Sequence, residues 1–218
     1  MTVLDIHEHR LRRSAEIARF QMEVQLDKRF LSPLDVIRVL NKEKISFVLV
    51  GAYGLSGWRT QARATEDVEV VVAARQVAKA VRSLTKAFAY LESEDLEVVV
   101  RLRDKETKQV AIDVMKPVQP PYRDIFKHTK KIVAGKDSYR VPSLEMALTC
   151  KFAPMISLMR VDEKKLQDAA DFIDIVKKNA DDIDLEVLAS LGDIVYNGGG
   201  NEIIEFVRKV RAGEKLDL

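Results

Sequence analysis

Three carboxylates set among apolar residues are the groups in this 218-residue chain best placed to do chemistry. Asp67 stands at the mouth of the run Val68–Val72, and Glu69 sits one step inside it. Successive strand side chains alternate faces, so Asp67 and Glu69 are expected on one side, with Val68 and Val70 on the other. Two carboxylates side by side repel and resist joint ionisation unless a cation lies between them. A divalent metal is the usual remedy, since Mg²⁺ takes oxygen ligands from one or two carboxylates and from substrate phosphates. Asp113 lies inside a second apolar run, Val110-Ala111-Ile112-Asp113-Val114-Met115, where an ionised group is costly without a partner.

The elements that must position these acids are legible around them. Phe47-Val48-Leu49-Val50 is an apolar run that stops at Gly51. A short apolar segment, Ala52 to Trp58, gives way to a basic, polar stretch through Arg59, Arg63 and Thr65 before the acids. This order predicts a strand, a Gly-led turn, a short helix and a second strand.

The same stretch resembles the nucleotidyltransferase fold of the DNA polymerase beta superfamily. It is most similar to the branch holding minimal nucleotidyltransferases, AbiEii-like toxins and aminoglycoside or lincosamide nucleotidyltransferases. That pattern is an apolar strand, Gly-Gly or Gly-Ser, a short helix, then Arg-x-Thr-x-Asp-[Ile/Val]-Asp. Here it reads Gly51-Ala52, then Arg63-Ala64-Thr65-Glu66-Asp67-Val68-Glu69. Two positions depart from it: Ala52 replaces a Gly or Ser, and Glu69 replaces an aspartate. The resemblance extends to Pro142-Ser143-Leu144-Glu145 through Lys151, then Gln167-Asp168-Ala169-Ala170-Asp171, where Gln167 replaces a basic residue. It implies that Asp67, Glu69 and Asp113 are catalytic and hold Mg²⁺ or Mn²⁺, with Asp113 as third ligand and general base. It assigns nucleotide binding to Gly51, Ala52, Arg63, Thr65 and Lys151. The implied reaction moves a nucleoside monophosphate from an NTP such as ATP to a hydroxyl of a protein, an RNA end or a small molecule. The alternative is a degenerate relative, a binding or antitoxin-like module of a toxin–antitoxin pair. Lys151 either neutralises triphosphate charge or pairs with Asp168; Arg59 and Arg63 either reach phosphate or are solvated loop charge.

Elsewhere the periodicity predicts an α/β (α+β) chain: a nucleotidyltransferase-like mixed sheet flanked by helices, then a C-terminal helical bundle. The expected divisions are a helical arm at 1–31, an α/β domain at 32–141 and a helical domain at 142–218. Leu4, Leu11, Ala15, Ala18, Met22 and Leu26 form an apolar stripe along the arm, which suits packing on the body or on a second copy. His7 and His9, two apart, do not face one ligand on a helix and are expected in solvent. Ser32-Pro33 is a helix start. Strands are expected at Leu96–Leu102 and Gln109–Met115, with the charged run 103–108 as a hairpin tip and Asp95 and Glu97 as surface acids. A small hairpin is expected around Gly135, and helices at Leu144–Ile156, Glu163–Lys178 and Leu185–Val195. Asn197-Gly198-Gly199-Gly200 reads as a flexible break before a last helix.

Composition narrows the rest. The sequence is 47% hydrophobic and 32% charged with a formal net charge of +2, which is globular and carries no global field for nucleic acid. The single Cys150 excludes an internal disulfide and fits a reducing, cytoplasmic setting. No apolar run approaches the ~20 residues that span a bilayer. The arm leaves a homodimer or a protein partner as the expected assembly.

Overall fold

The computed structural model describes residues 3–24, 29–61, 63 and 65–216. Its centre is a five-stranded sheet, β1 (Phe47–Leu49), β2 (Val68–Val72), β3 (Leu91–Asp95), β4 (Val99–Asp104) and β5 (Val110–Met115), in the order β1-β2-β5-β4-β3. β2 and β5 are parallel while the other neighbours are antiparallel, so the sheet is mixed, as expected. A second, two-stranded sheet is the hairpin β6 (Thr129–Ala134) and β7 (Asp137–Pro142) around Gly135.

Eight helices surround the sheets among the described residues: α1 (Val3–Val24), α2 (Pro33–Lys42), α3 (Gly51–Gly54), α4 (Val77–Ala87), α5 (Leu144–Met155), α6 (Asp162–Lys178), α7 (Leu185–Val195) and α8 (Gly199–Ala212). Local chemistry sets their starts. The Ser32 hydroxyl accepts from the Leu34 N–H ahead of Pro33, and the Ser143 hydroxyl accepts from the Met146 N–H at the head of α5. α5 is apolar almost all round and lies buried, as a helix of that composition must.

Pattern and register place the apolar mass. Val68, Val70, Val72, Ile112, Val114, Val100 and Leu102 point from the sheet into one core with α2, α4 and the β6–β7 hairpin. Leu11 and Ala15 of α1 join that core, so the arm packs on the body. Ala18 and Met22 of the stripe are buried too; Leu26 and the side chain of Leu4 lie outside the described residues. A second core joins α5, α6, α7 and α8 with Leu55 and Trp58, and a small third core seats Val48, Val50 and Val71 against Met146 and Cys150.

Four expectations are corrected. His7 is 1% exposed, not solvated: it is wedged against Gly57, whose N–H donates to its Nδ1 at 3.1 Å, with the Trp58 ring edge-on at 4.9 Å. Asp95 is exposed as expected, but it ends a strand, Leu91–Asp95, that the charged sequence Leu-Glu-Ser-Glu-Asp disguises. That strand lies at the sheet's edge, where charge blunts further pairing and the apolar alternation used to find strands is not needed. Gly199 and Gly200 are not a flexible break but the first turn of α8. A Cβ on Gly199 would lie 2.4 Å from the Gly192 carbonyl oxygen of α7, so the glycines permit a close helix crossing. Arg59 and Arg63 are not solvated loop charge; both are paired in the cleft wall described next.

Candidate active site

The sheet face opposite the first core is covered by α5 and the start of α6, and between them lies a cleft of about 540 Å³. Gly51, Arg63, Thr65, Asp67, Glu69, Asp113 and Lys151 all line it. Ala52 does not line it: its side chain is buried, at 4% exposure, behind the turn that Gly51 opens. The cleft also takes Arg101, Tyr122, Cys150, Arg160 and Lys164, which the sequence reading did not single out.

Register explains how the acids meet. Glu69 of β2 is the Cα partner of Asp113 in β5, and Asp113 is the partner of Arg101 in β4. Glu69, Asp113 and Arg101 therefore form one cross-strand row on one sheet face. Asp67 stands one pleat before Glu69, held by the Thr65 hydroxyl, which donates to its Oδ1 at 2.5 Å. The Tyr53 hydroxyl in turn donates to the Thr65 carbonyl at 3.1 Å, which fixes the entry to β2.

Gly51 makes room for Glu69. It has φ +59°, in the region L side chains avoid, and a Cβ there would fall 1.6 Å from Glu69 Oε2. The longer acid is thus seated directly on the glycine turn.

The electrostatics of this row are those of uncompensated carboxyl groups. Burial pushes the Glu69 carboxyl up to about 7, and Asp67 beside it adds to the rise against the pull of Lys151. Burial likewise raises Asp113 to about 6, with Arg101 pulling down and Asp67 pushing up. The Cys150 thiol is pushed up to about 12 by burial, which leaves it an inert wall rather than a nucleophile.

The cationic wall is held from the helical half. Lys151 Nζ lies 2.9 Å from Asp168 and 2.8 Å from Asp171, so it pairs with both acids three apart on α6. Arg59 and Arg63 reach Asp171 at 3.1 and 3.3 Å, and Arg160 reaches Asp168 at 2.8 Å. Four cations thus gather on Asp168 and Asp171, and Arg59 also lies 3.5 Å from Asp174. The segment that carries Arg59 and Arg63 is tethered at its start: Gly57 by His7 and Lys178, Trp58 by Pro142 and Asn179, Thr60 by Asp174.

A divalent cation suits this donor set. The carboxylate oxygens are hard ligands, and Asp113 Oδ1 is buried without a hydrogen-bond partner. As the side chains stand, no group of three or more His, Cys, Asp or Glu converges closely enough to hold a metal among the described residues. The carboxylates share the cleft and must draw together to ligate.

No family model matches the chain. No curated protein matches it either. Among solved structures, the chain is similar to an antigenic nucleotidyltransferase-like protein from Paracoccidioides brasiliensis, with 18% identity, 83% of this chain and 91% of that chain covered, and a TM-score of 0.49. It is also similar to the antibiotic-resistance factor ANT(2'')-Ia in solution, with 11% identity, 83% and 88% covered, and a TM-score of 0.49. The crystal structure of ANT(2'')-Ia in complex with adenylyl-2''-tobramycin matches at 10% identity, with 82% and 94% covered and a TM-score of 0.49. Among the described residues, no helix is long and apolar enough to cross a membrane.

Proposed function

We propose that the cleft transfers a nucleoside monophosphate from an NTP to a hydroxyl acceptor with the help of Mg²⁺ or Mn²⁺. The observation that carries this reading is the row of Asp67, Glu69 and Asp113 on one sheet face, seated on a glycine turn and opposite a cationic wall. Asp67, Glu69 and Asp113 would hold the cation. Bound there, it would neutralise phosphate charge and make the acceptor hydroxyl easier to deprotonate. Arg63 and Lys151 would turn from Asp171 toward the triphosphate, Arg63 with its planar fork and Lys151 as a point charge. The acceptor oxygen would attack the α-phosphorus in line, the bond to pyrophosphate would break, and Asp113 would take the hydroxyl proton.

The acceptor is a hydroxyl of a protein, an RNA or a small molecule. A second reading is favoured by a specific observation: every cation that would meet phosphate from α5 and the 59–63 segment is already paired with Asp168 or Asp171. A cleft neutralised from within suits a non-catalytic, antitoxin-like module that keeps the fold.

Calorimetry with each NTP, with and without Mg²⁺ or Mn²⁺, separates the two. Nucleotide binding that requires the metal and disappears in both Asp67→Asn and Glu69→Gln is the outcome expected for the enzyme. Absence of binding at millimolar nucleotide in the folded protein would transfer the assignment to the binding module.

A further inference from the structure

Arg101 differs from Arg63, Lys151 and Arg160 in the cleft, which pair with acids of α6. Arg101 projects from β4 onto the carboxylate row, and its Nε lies 3.6 Å from Asp113 Oδ1. Neither atom has a hydrogen-bond partner, although both are buried. The pair is therefore a charge contact without a formed hydrogen bond, beyond the 2.7–2.9 Å range of a charge-assisted bond. A guanidinium placed this way offsets part of the Asp113 charge without giving its buried oxygen a hydrogen bond.

We propose that Arg101 is a built-in competitor for the metal: its guanidinium occupies the cationic place beside Asp113 and must swing away before a divalent ion is held. The proposal rests on the reading of Asp67, Glu69 and Asp113 as metal ligands, and it adds a regulatory group to that site. Arg101 is the more exposed partner of the pair. Its side chain is 38% exposed and β4 is next to the charged edge strand, whereas Asp113, at 16%, is fixed between two neighbours. The contact is weak enough to be displaced, because a metal carries twice the charge and accepts carboxylate oxygens directly. The consequence is a site with low affinity for metal alone, loaded only when metal arrives with a ligand that offers Arg101 other anionic oxygens.

The test is Mn²⁺ binding to the full, nucleotide-free chain, read by calorimetry and by the loss of the free-ion electron paramagnetic resonance signal. Arg101→Gln, which keeps the stem and removes the charge, is expected to tighten Mn²⁺ binding roughly five- to tenfold. Arg101→Lys, which keeps the charge, is expected to bind within about twofold of the parent. Thermal unfolding of both variants reports that the fold is intact. An Arg101→Gln affinity equal to or weaker than the parent's, with Asp67→Asn still abolishing binding, overturns the competitor role and leaves the metal site standing. Failure of both parent and Arg101→Gln to bind millimolar Mn²⁺ overturns the metal reading and the competitor with it.

Discussion

At the residue scale the cleft depends on one glycine. Gly51 has a positive φ, and its missing Cβ is the space that the Glu69 carboxylate fills. A Gly51→Ala substitution faces two costs at once. The left-handed backbone costs about 1–2 kcal/mol for an alanine, and Glu69 must leave its seat. The expected outcome is a lower melting temperature together with loss of metal-dependent nucleotide binding, whereas Ala52→Gly, one position on and outside the cleft lining, should keep binding. Differential scanning calorimetry and titration of the two variants side by side check this. The raised Glu69 and Asp113 carboxyls belong to the same scale: their causes are burial and each other's neighbours, forces that no single position in the sequence displays.

At the element scale, α1 is tied to the body through His7. The imidazole is buried between Gly57 and Trp58, and its pKa is lowered to about 3 by burial first, then by Lys178, Lys130 and Arg10. These three charged neighbours are all cations, so they oppose a protonated imidazole rather than compensate it. A histidine whose folded pKa lies below its ordinary 6.5 stabilises the fold fully above 6.5, and that stability is lost as pH falls toward 3. Acidification from pH 7.5 to 5 should therefore cost about 2 kcal/mol at this site. Protection factors along α1, taken after correction for the pH dependence of intrinsic amide exchange, should fall over that interval in the parent, and the fall should flatten in His7→Gln. Protection factors that do not change with pH in the parent would mean that the imidazole is hydrated or paired in solution. The tether matters for the cleft because Gly57 begins the segment that delivers Arg59 and Arg63.

At the scale of the whole molecule, the buried cluster of Lys151 with Asp168 and Asp171 joins α5 to α6, and Arg59 and Arg63 tie the segment ahead of β2 to the same acids. Removing one member of a buried ion cluster is costly because the remaining charges lose their compensation. Lys151→Met preserves the packing volume while leaving two aspartates with only their arginines. A loss of roughly 3 kcal/mol is expected, read as a lower urea midpoint with an unchanged slope. Nucleotide binding should fall with it, since the same ammonium faces the cleft. An unchanged urea midpoint would show that Arg59, Arg63 and Arg160 suffice to neutralise the two acids.

Much of this architecture was written in local pattern. Phe47–Val50, the stop at Gly51 and the acids two apart specify a strand, a turn and a strand face because periodicity and backbone freedom act within a few residues. The Ser32-Pro33 and Ser143 helix starts are local for the same reason. The edge strand Leu91–Asp95 and the glycines at 199 and 200 escaped that reading, since an edge needs no apolar face and a close helix crossing needs a partner helix. His7 was invisible as a core residue because its partner, Gly57, lies 50 positions away. The sequence alone determined which side chains bring carboxylate and cationic chemistry to the chain. Only the tertiary structure decided that Asp113 lies beside Glu69, that Arg101 faces Asp113, and that Lys151 and the arginines answer to α6. Those are matters of strand register and helix docking, and they follow from how distant apolar faces pack rather than from any residue's neighbours in the chain.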